Sequence, residues 1–321
     1  MTVLVTGVAG FIGYHVAEAL LARGEAVTGI DNLNDYYDVR LKQARLARLE
    51  QQAGFRFRKL DFAERDAVLP LAQEPFSHIV HLGAQPGVRY SLLNPYAYIA
   101  SNVMGHVTML ELARRLPDLT NVVYASSSSV YGGNSKLPFA VGDAVETPQS
   151  LYAATKRADE LISHTYAHLY GIKQVGLRFF TVYGPWGRPD MAPMLFAKAM
   201  LAQQPIRVFN HGEMWRDFTY IDDIVAGVLA AMEAPPKETP PHKLYNLGNH
   251  KSEKLMDFIA ALEAALGVKA EMRFEPMQPG DVVSTYADIA ESRAALGFEP
   301  KTPMAEGVKK FAAWYREFYG V

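Results

Sequence analysis

The chain has 321 residues, with 32 Lys and Arg against 34 Asp and Glu, 49% hydrophobic and 21% charged residues, and no cysteine. That length suits about two domains around a large core, and a net charge of −2 offers no bulk attraction for nucleic acid or anionic lipid, so any anion must be met by local arginines. Without Cys there are no disulfides, thiolate metal sites or Cys nucleophiles, which fits a cytoplasmic protein; no signal-peptide pattern and no apolar run of about 18 residues is present, so neither export nor a membrane span is expected.

Thr2 to Thr6 reads as a buried strand running straight into Gly7-Val8-Ala9-Gly10-Phe11-Ile12-Gly13. A helix is expected over His15 to Arg23, then a second apolar strand, Ala26 to Ile30, that ends at Asp31. Each part of this order has a job in holding a dinucleotide. Gly7 permits the tight turn, Gly10 lets backbone N–H groups approach a pyrophosphate at the positive helix end, and Gly13 lets helix and sheet pack closely. Asp31 stands 18 residues past Gly13, where a carboxylate accepts both adenosine ribose hydroxyls and repels a 2′-phosphate, so NAD is expected in preference to NADP.

The alternation continues with a helix at Arg40 to Ala53, strands at Phe55 to Leu60, His78 to Leu82 and Asn121 to Ser126, helices at Pro95 to Leu116 and Ser150 to Tyr170, and a strand at Gln174 to Arg178. That is the pattern of a Rossmann-type, doubly wound parallel sheet, with ligands at the carboxyl ends of its strands. From Phe180 the pattern is irregular and rich in Gly and Pro, as in Tyr183 to Asp190 and Pro235 to Pro241. Residues 1–179 are therefore assigned to the cofactor domain and 180–321 to a smaller α/β domain for the substrate, with Leu244 to Leu247 returning to the first sheet.

The expected chemistry lies between the halves. Tyr152 and Lys156 are four apart, so they share one helix face. The pair is weak evidence alone, but Val122-Val123-Tyr124-Ala125 runs into Ser126-Ser127-Ser128-Ser129, a polar cluster at the carboxyl end of a core strand, where a substrate hydroxyl would be held. Ser127 and Ser129 share a side if the strand geometry continues. His78, His81 and His106 lack metal-site spacing, so no metal is expected.

Gly7-x-x-Gly10-x-x-Gly13, Asp61-Phe62, His81-Leu82-Gly83-Ala84-Gln85, Ser126 to Gly132 and Tyr152-x-x-x-Lys156 together resemble the extended short-chain dehydrogenase/reductase family from end to end. Within it, Asp31 to Asp38, Gly87-Val88-Arg89-Tyr90-Ser91, Arg178 to Met191 and Arg216 to Asp223 resemble UDP-glucuronate 4-epimerases. The resemblance implies a UDP-sugar substrate and NAD as cofactor. Tyr152, favoured as a base by the charge of Lys156 and of oxidised nicotinamide, removes the 4-hydroxyl proton as hydride leaves carbon 4. The 4-keto sugar then turns over, and returned hydride inverts that carbon.

The resemblance implies Gly7, Gly10, Phe11, Ile12, Gly13, Asp31, Asn32, Asn34, Asp61, Phe62, Leu82, Ala84, Gln85, Asn102, Tyr152, Lys156 and Tyr183 near NAD. It implies Arg216, Gln278 and Asp281 at the diphosphate and ribose, and Phe209 beside uracil, with Met194, Val208 and Thr181 also on the substrate side. Galactose-type epimerases usually carry Arg where this chain has Gln278, and Thr181 replaces an Asn common in relatives. Ser127, Ser128 and Ser129 are candidates for the 4-oxygen. Arg188, in a Gly/Pro loop beyond the nicotinamide side, offers a guanidinium fork for a sugar carboxylate, and Arg89 is the competing contact. UDP-glucose 4-epimerase, UDP-glucuronate decarboxylase and a non-enzymatic NAD sensor stay open as alternatives. The helices expected over Pro95 to Leu116 and Ser150 to Tyr170 are those that pair subunits in this family, so a homodimer is implied.

Overall fold

The computed structural model describes residues 1–278 and 281–321. Six strands, β1 (Thr2–Thr6), β2 (Ala26–Asp31), β3 (Phe55–Lys59), β4 (His78–His81), β5 (Asn121–Ser127) and β6 (Gln174–Phe179), join the late strand His242–Leu247 in one sheet. All pairings are parallel, and the order is His242–Leu247, β6, β5, β4, β1, β2, β3. Both faces are covered, so the central strands read as continuous apolar runs. Val3 and Val5 of β1 pack into one core and Leu4 into the other, and Val123 and Val122 of β5 divide in the same way.

The chain leaves β1 toward β2 on one side and meets β4 on the other, so a crevice opens where the strand order reverses. Backbone meets backbone there. Gly7 has φ +66°, and a Cβ on it would lie 2.7 Å from the Cα of Gly83, just past β4. A Cβ on Gly13 would collide with the Gly7 carbonyl oxygen.

Helix ends follow the expected signals with two differences. The first helix runs Phe11–Ala22, beginning earlier than its apolar stripe because the glycine turn itself feeds helical backbone. The expected helix Pro95 to Leu116 is divided: turns at Tyr90–Leu93 and Pro95–Tyr98, a wide π stretch at Ile99–Met104, and a helix only over Gly105–Ala113. The Asn94 side chain caps the second turn by accepting from Ala97 N at 3.4 Å, with Pro95 at the first helical position, where its missing N–H costs nothing. The helix Leu151–Tyr170 keeps its expected span, capped by Ser150 Oγ on Ala153 N at 3.1 Å and closed by Gly171 in the left-handed region.

Beyond residue 180 the chain does not form a separate block. The helix Ile221–Glu233 packs on Phe11–Ala22, Asn121 on β5 donates to the carbonyls of Ala231 and Met232, and His242–Leu247 adds the seventh strand beside β6. The remainder, with helices Ala192–Leu201, Leu255–Leu266 and Met304–Tyr319 and the short pairings Thr181–Tyr183 with Phe218–Tyr220 and Ile206–Phe209 with Met272–Glu275, builds a cap over the carboxyl ends of the sheet. Buried Asp217 fastens it, accepting from the N–H groups of Asn249 (2.5 Å) and Ala287 (3.1 Å); burial pushes its carboxyl up to about 6 against those donors.

One ion pair ties the helix Leu151–Tyr170 to the sheet. Glu160, buried on Leu151–Tyr170, accepts from Arg178 of β6 through Nε (2.7 Å) and a terminal nitrogen (2.9 Å), and from the Ser126 hydroxyl of β5 (2.7 Å). Losing one partner leaves the other charge buried and uncompensated. Glu160→Ala should therefore cost about 3–5 kcal/mol in urea unfolding, whereas Glu160→Leu with Arg178→Met should cost clearly less; equal losses would show that packing, not charge, holds this joint.

Candidate active site

Two connected chambers lie over the carboxyl ends of the strands. The first, of about 330 Å³, is lined by Gly7, Gly10, Phe11, Ile12, Gly13, Asp31, Asn32, Asn34, Phe62, Leu82, Ala84, Ser127, Ser128, Ser129, Tyr152, Lys156, Thr181 and Arg188. No side chain caps the first turn of the Phe11–Ala22 helix, so its N–H groups are left for an anion. At the end of β2 the Asp31 carboxylate accepts from Ala9 N (3.1 Å) and Leu33 N (2.8 Å), which holds both oxygens toward the chamber's rim. Burial raises this carboxyl, opposed by the Leu33 N–H, the Lys42 charge and the Ala9 N–H. Glycine floor, free helix end and buried acid fit a dinucleotide: a Cβ at Gly7 would strike the Gly83 backbone and one at Gly10 or Gly13 the Gly7 carbonyl, so side chains here would force apart the tight turn that lines the chamber.

At the other end of this chamber stand Tyr152 and Lys156, in the first two turns of the Leu151–Tyr170 helix. The Tyr98 ring meets Tyr152 edge-on at 6.1 Å, and Lys156 Nζ donates to the Ala125 carbonyl of β5 at 3.0 Å. The serines come together for a reason other than strand alternation. β5 ends at Ser127 and the chain tightens into a 3₁₀ turn over Ser128–Tyr131. Ser127 Oγ accepts from Ser129 N (3.2 Å) and donates to Ser129 Oγ (3.1 Å), so the turn, not the pleat, puts the two hydroxyls side by side.

The second chamber, of about 790 Å³, shares Ser128, Ser129, Thr181 and Arg188 with the first and adds Arg89, Asp190, Phe209, Arg216 and Asp281. Arg89 and Arg216 both approach Asp281, at 3.5 and 3.7 Å. Burial lowers the Arg216 guanidinium below its ordinary value, with Asp281 opposing. Phe209 lies beneath Arg89 (5.1 Å) and Arg207 (4.9 Å). Arg188 does not present its whole fork to the chamber: its Nε and one terminal nitrogen donate to Asp190 at 3.1 and 2.6 Å, and Tyr36 donates to the same carboxylate at 3.0 Å. Burial pushes Asp190 up, but Arg188 outweighs it and the net direction is down.

Several expected residues stand one layer behind the walls. Asn102 exchanges hydrogen bonds with the backbone of Gln85 (2.8 and 3.2 Å) and donates to Thr155 Oγ1 (3.0 Å), tying the loop after β4 to the Tyr152 helix. Asp61 accepts from the Asn32 amide at 2.9 Å. Met194 and Val208 are buried in the main core. Gln278 is not in either chamber wall. Tyr183 lies away from the cleft, its hydroxyl on the Met304 carbonyl (3.2 Å) and its ring among Phe218, Tyr220 and Phe258.

Sequence reasoning missed Lys42 and Arg45. Lys42 lines the first chamber and donates to the Asn34 backbone and side chain (2.7 and 2.8 Å). Arg45, fully buried, donates to the carbonyls of Ala9 (2.8 Å), Trp186 (2.6 Å) and Gly187 (3.1 Å). The signal was present: both fall on the stripe of Leu41, Leu46 and Leu49 in the helix Val39–Glu50. Among the described residues no group of three or more His, Asp or Glu side chains is arranged to hold a metal, and no helix is long and apolar enough to cross a membrane.

Residues 3–248 match the model of the NAD dependent epimerase/dehydratase family. The chain is 47% identical over 333 residues to UDP-glucuronate 4-epimerase 4 of Arabidopsis thaliana, covering 99% of this chain and 76% of the relative. It is 51% identical over 336 residues to an uncharacterised 37.6 kDa Escherichia coli O111:H- protein, over the full length of both. Among solved structures, UDP-glucuronic acid 4-epimerase of Bacillus cereus, in complex with UDP-glucuronic acid and NAD, superimposes with a TM-score of 0.92 at 34% identity, covering 99% of this chain and 100% of that one. UDP-glucose 4-epimerase of Thermotoga maritima gives a TM-score of 0.89 at 27% identity, with the same coverage. With its glycine-floored crevice, its Tyr152 and Lys156 pair and these likenesses together, the chain belongs to the NAD dependent epimerase/dehydratase family.

Proposed function

We propose that this chain is a cytoplasmic, homodimeric enzyme that inverts carbon 4 of UDP-glucuronate, giving UDP-galacturonate through a 4-keto sugar. The observation that carries the reading is the junction of the two chambers. Tyr152 and Lys156, with the hydroxyls of Ser127 and Ser129, line the glycine-floored cavity, which adjoins a chamber furnished with Arg89, Arg188 and Arg216. Relatives 45–47% identical carry the name UDP-glucuronate 4-epimerase. When bound, NAD supplies a reversible acceptor for the hydride of carbon 4.

The remaining work falls to side chains. Tyr152 takes the proton of the sugar 4-hydroxyl and later returns one to the 4-oxygen; Lys156 stabilises the phenolate electrostatically. Ser127 or Ser129 holds the 4-oxygen by hydrogen bond. Arg216 and Arg89 meet the diphosphate, releasing Asp281 toward the ribose, while Phe209 offers uracil a flat apolar face. Between the two hydride transfers the sugar swings about its diphosphate, for which the larger chamber has room. Arg188 serves the sugar carboxylate with the edge that Asp190 leaves over. A uronic acid oxidised at carbon 4 is a β-keto acid, which loses carbon dioxide when its carboxylate bond aligns with the carbonyl π system, so fixing that carboxylate protects the product.

The dimer reading rests on an exposed apolar band. Tyr96 is 83% exposed, and Leu92, Ile99 and Met104 lie along the same segment, with Leu161 and Leu169 on Leu151–Tyr170. Large exposed patches of this kind mark association surfaces.

Tyr152→Phe should keep fold and NAD binding while kcat falls at least about 100-fold; near-normal turnover would remove this hydroxyl from the reaction. Arg188→Ala should raise KM for UDP-glucuronate about 10- to 100-fold and divert oxidised intermediate to a UDP-4-keto-pentose, read by NMR of the products. Wild-type affinity and no added decarboxylation would shift the carboxylate to Arg89 or the serines. Tyr96→Glu combined with Leu161→Glu should halve the mass measured by light scattering, and an unchanged dimer would move the interface elsewhere.

A further inference from the structure

Lys156 is buried beside a second charge that the proposed reaction does not use. Its side chain is 4% exposed and donates, besides the contact to Ala125 O, to Asp159 Oδ2 at 3.1 Å, one turn along the same helix; the Asp159 side chain is 1% exposed. Asp159 Oδ1 has no hydrogen-bond partner among the described residues. A buried carboxylate supported on one oxygen only is an expensive way to hold a helix together.

The surroundings leave this pair as the local charge that varies. On its own helix Asp159 has Lys156 and Glu160, the latter bound to Arg178, Arg157 and Ser126. From β4 comes His81, hydrogen-bonded to Thr6 Oγ1, and from Gly105–Ala113 comes His106, hydrogen-bonded to Ser163; burial lowers both imidazoles to well under neutral pH, so they carry no charge there. From β5 comes Tyr124, which burial raises and keeps neutral, with its hydroxyl at His242.

We propose that Asp159 is a positioning residue for the acid–base pair: it pins the Lys156 ammonium against the end of β5 and offsets part of its charge, so that Lys156 and Asp159 together set how readily Tyr152 gives up its proton. The proposal rests on the reading of Tyr152 and Lys156 given above. An ammonium fully neutralised would help a phenolate little, and one left bare would hold the phenolate too well to return its proton. Burial pushes Asp159 up to about 6 against the pull of Lys156, so the offset operates at neutral and alkaline pH and fades as Asp159 takes a proton below that point.

The test uses the NAD-loaded enzyme in single turnover with UDP-glucuronate, followed by the absorbance of reduced nicotinamide across pH. Asp159→Asn keeps the shape and an acceptor for the ammonium but removes the charge. Its rising limb of rate against pH should move down by about 0.5–1 unit, with NAD binding unchanged. Asp159→Ala should show the same shift and a rate about tenfold lower, because the ammonium is no longer pinned. Thermal stability supplies a second reading. A folded-state carboxyl above its ordinary value favours the fold when protonated and loses that contribution as pH rises through its folded value, so Asp159→Asn should gain on the wild type between about pH 4 and about pH 6 and hold that gain at higher pH. If Asp159→Asn does not fold, Asp159→Ser removes the same charge and gives the same readout. A rising limb that stays in place in a folded, NAD-binding variant overturns the proposal and leaves Asp159 a packing residue. Normal turnover by Tyr152→Phe would instead remove the reading on which it stands, so the two failures are distinguishable.

Discussion

The rest of the molecule depends on a place where side chains are forbidden. Just past the ends of the neighbouring parallel strands β1 and β4 the Cα of Gly83 lies so near Gly7 that a methyl group on Gly7 would sit 2.7 Å from it, and one on Gly13 would sit closer still to the Gly7 carbonyl oxygen. This lets the helix Phe11–Ala22 rest its N-terminal turn on the sheet edge, which keeps both the free N–H groups and the Asp31 carboxylate within one narrow chamber. Widening the contact by even one methyl would separate those two features, since packed interiors transmit small displacements.

Local rules made the cofactor half legible. Glycine spacing, an apolar strand ending in Asp31, the Ser150 cap and a Tyr–Lys pair one turn apart each depend on residues near in sequence, and each lies where those rules put it. The substrate half was legible as a resemblance more than as geometry. That Arg188 is shared with Asp190, or that Arg89 and Arg216 converge on Asp281, is decided by loops that meet only in three dimensions. Tyr183 shows the opposite case: the resemblance implies it near NAD, and in the structure its hydroxyl donates to the Met304 carbonyl and its ring is core.

The divided helix before Gly105 illustrates how tertiary need overrides a continuous helical pattern. A wide π stretch at Ile99–Met104 includes Asn102, whose amide must reach both the Gln85 backbone and Thr155. π insertions of this sort collect near functional sites because they turn one side chain out of register without ending the helix.

Arg45 has a consequence for what can change at position 188. Its guanidinium holds the glycine turn through the Ala9 carbonyl and the Arg188 loop through the carbonyls of Trp186 and Gly187. All three acceptors are main-chain atoms, so these hydrogen bonds do not depend on the side chain at position 188. The path of the loop at residues 186 and 187 is therefore tied to the glycine turn through main-chain atoms, whatever side chain stands at position 188. A new side chain at position 188 would leave the glycine turn in place, whereas loss of Arg45 would loosen the turn and the loop together.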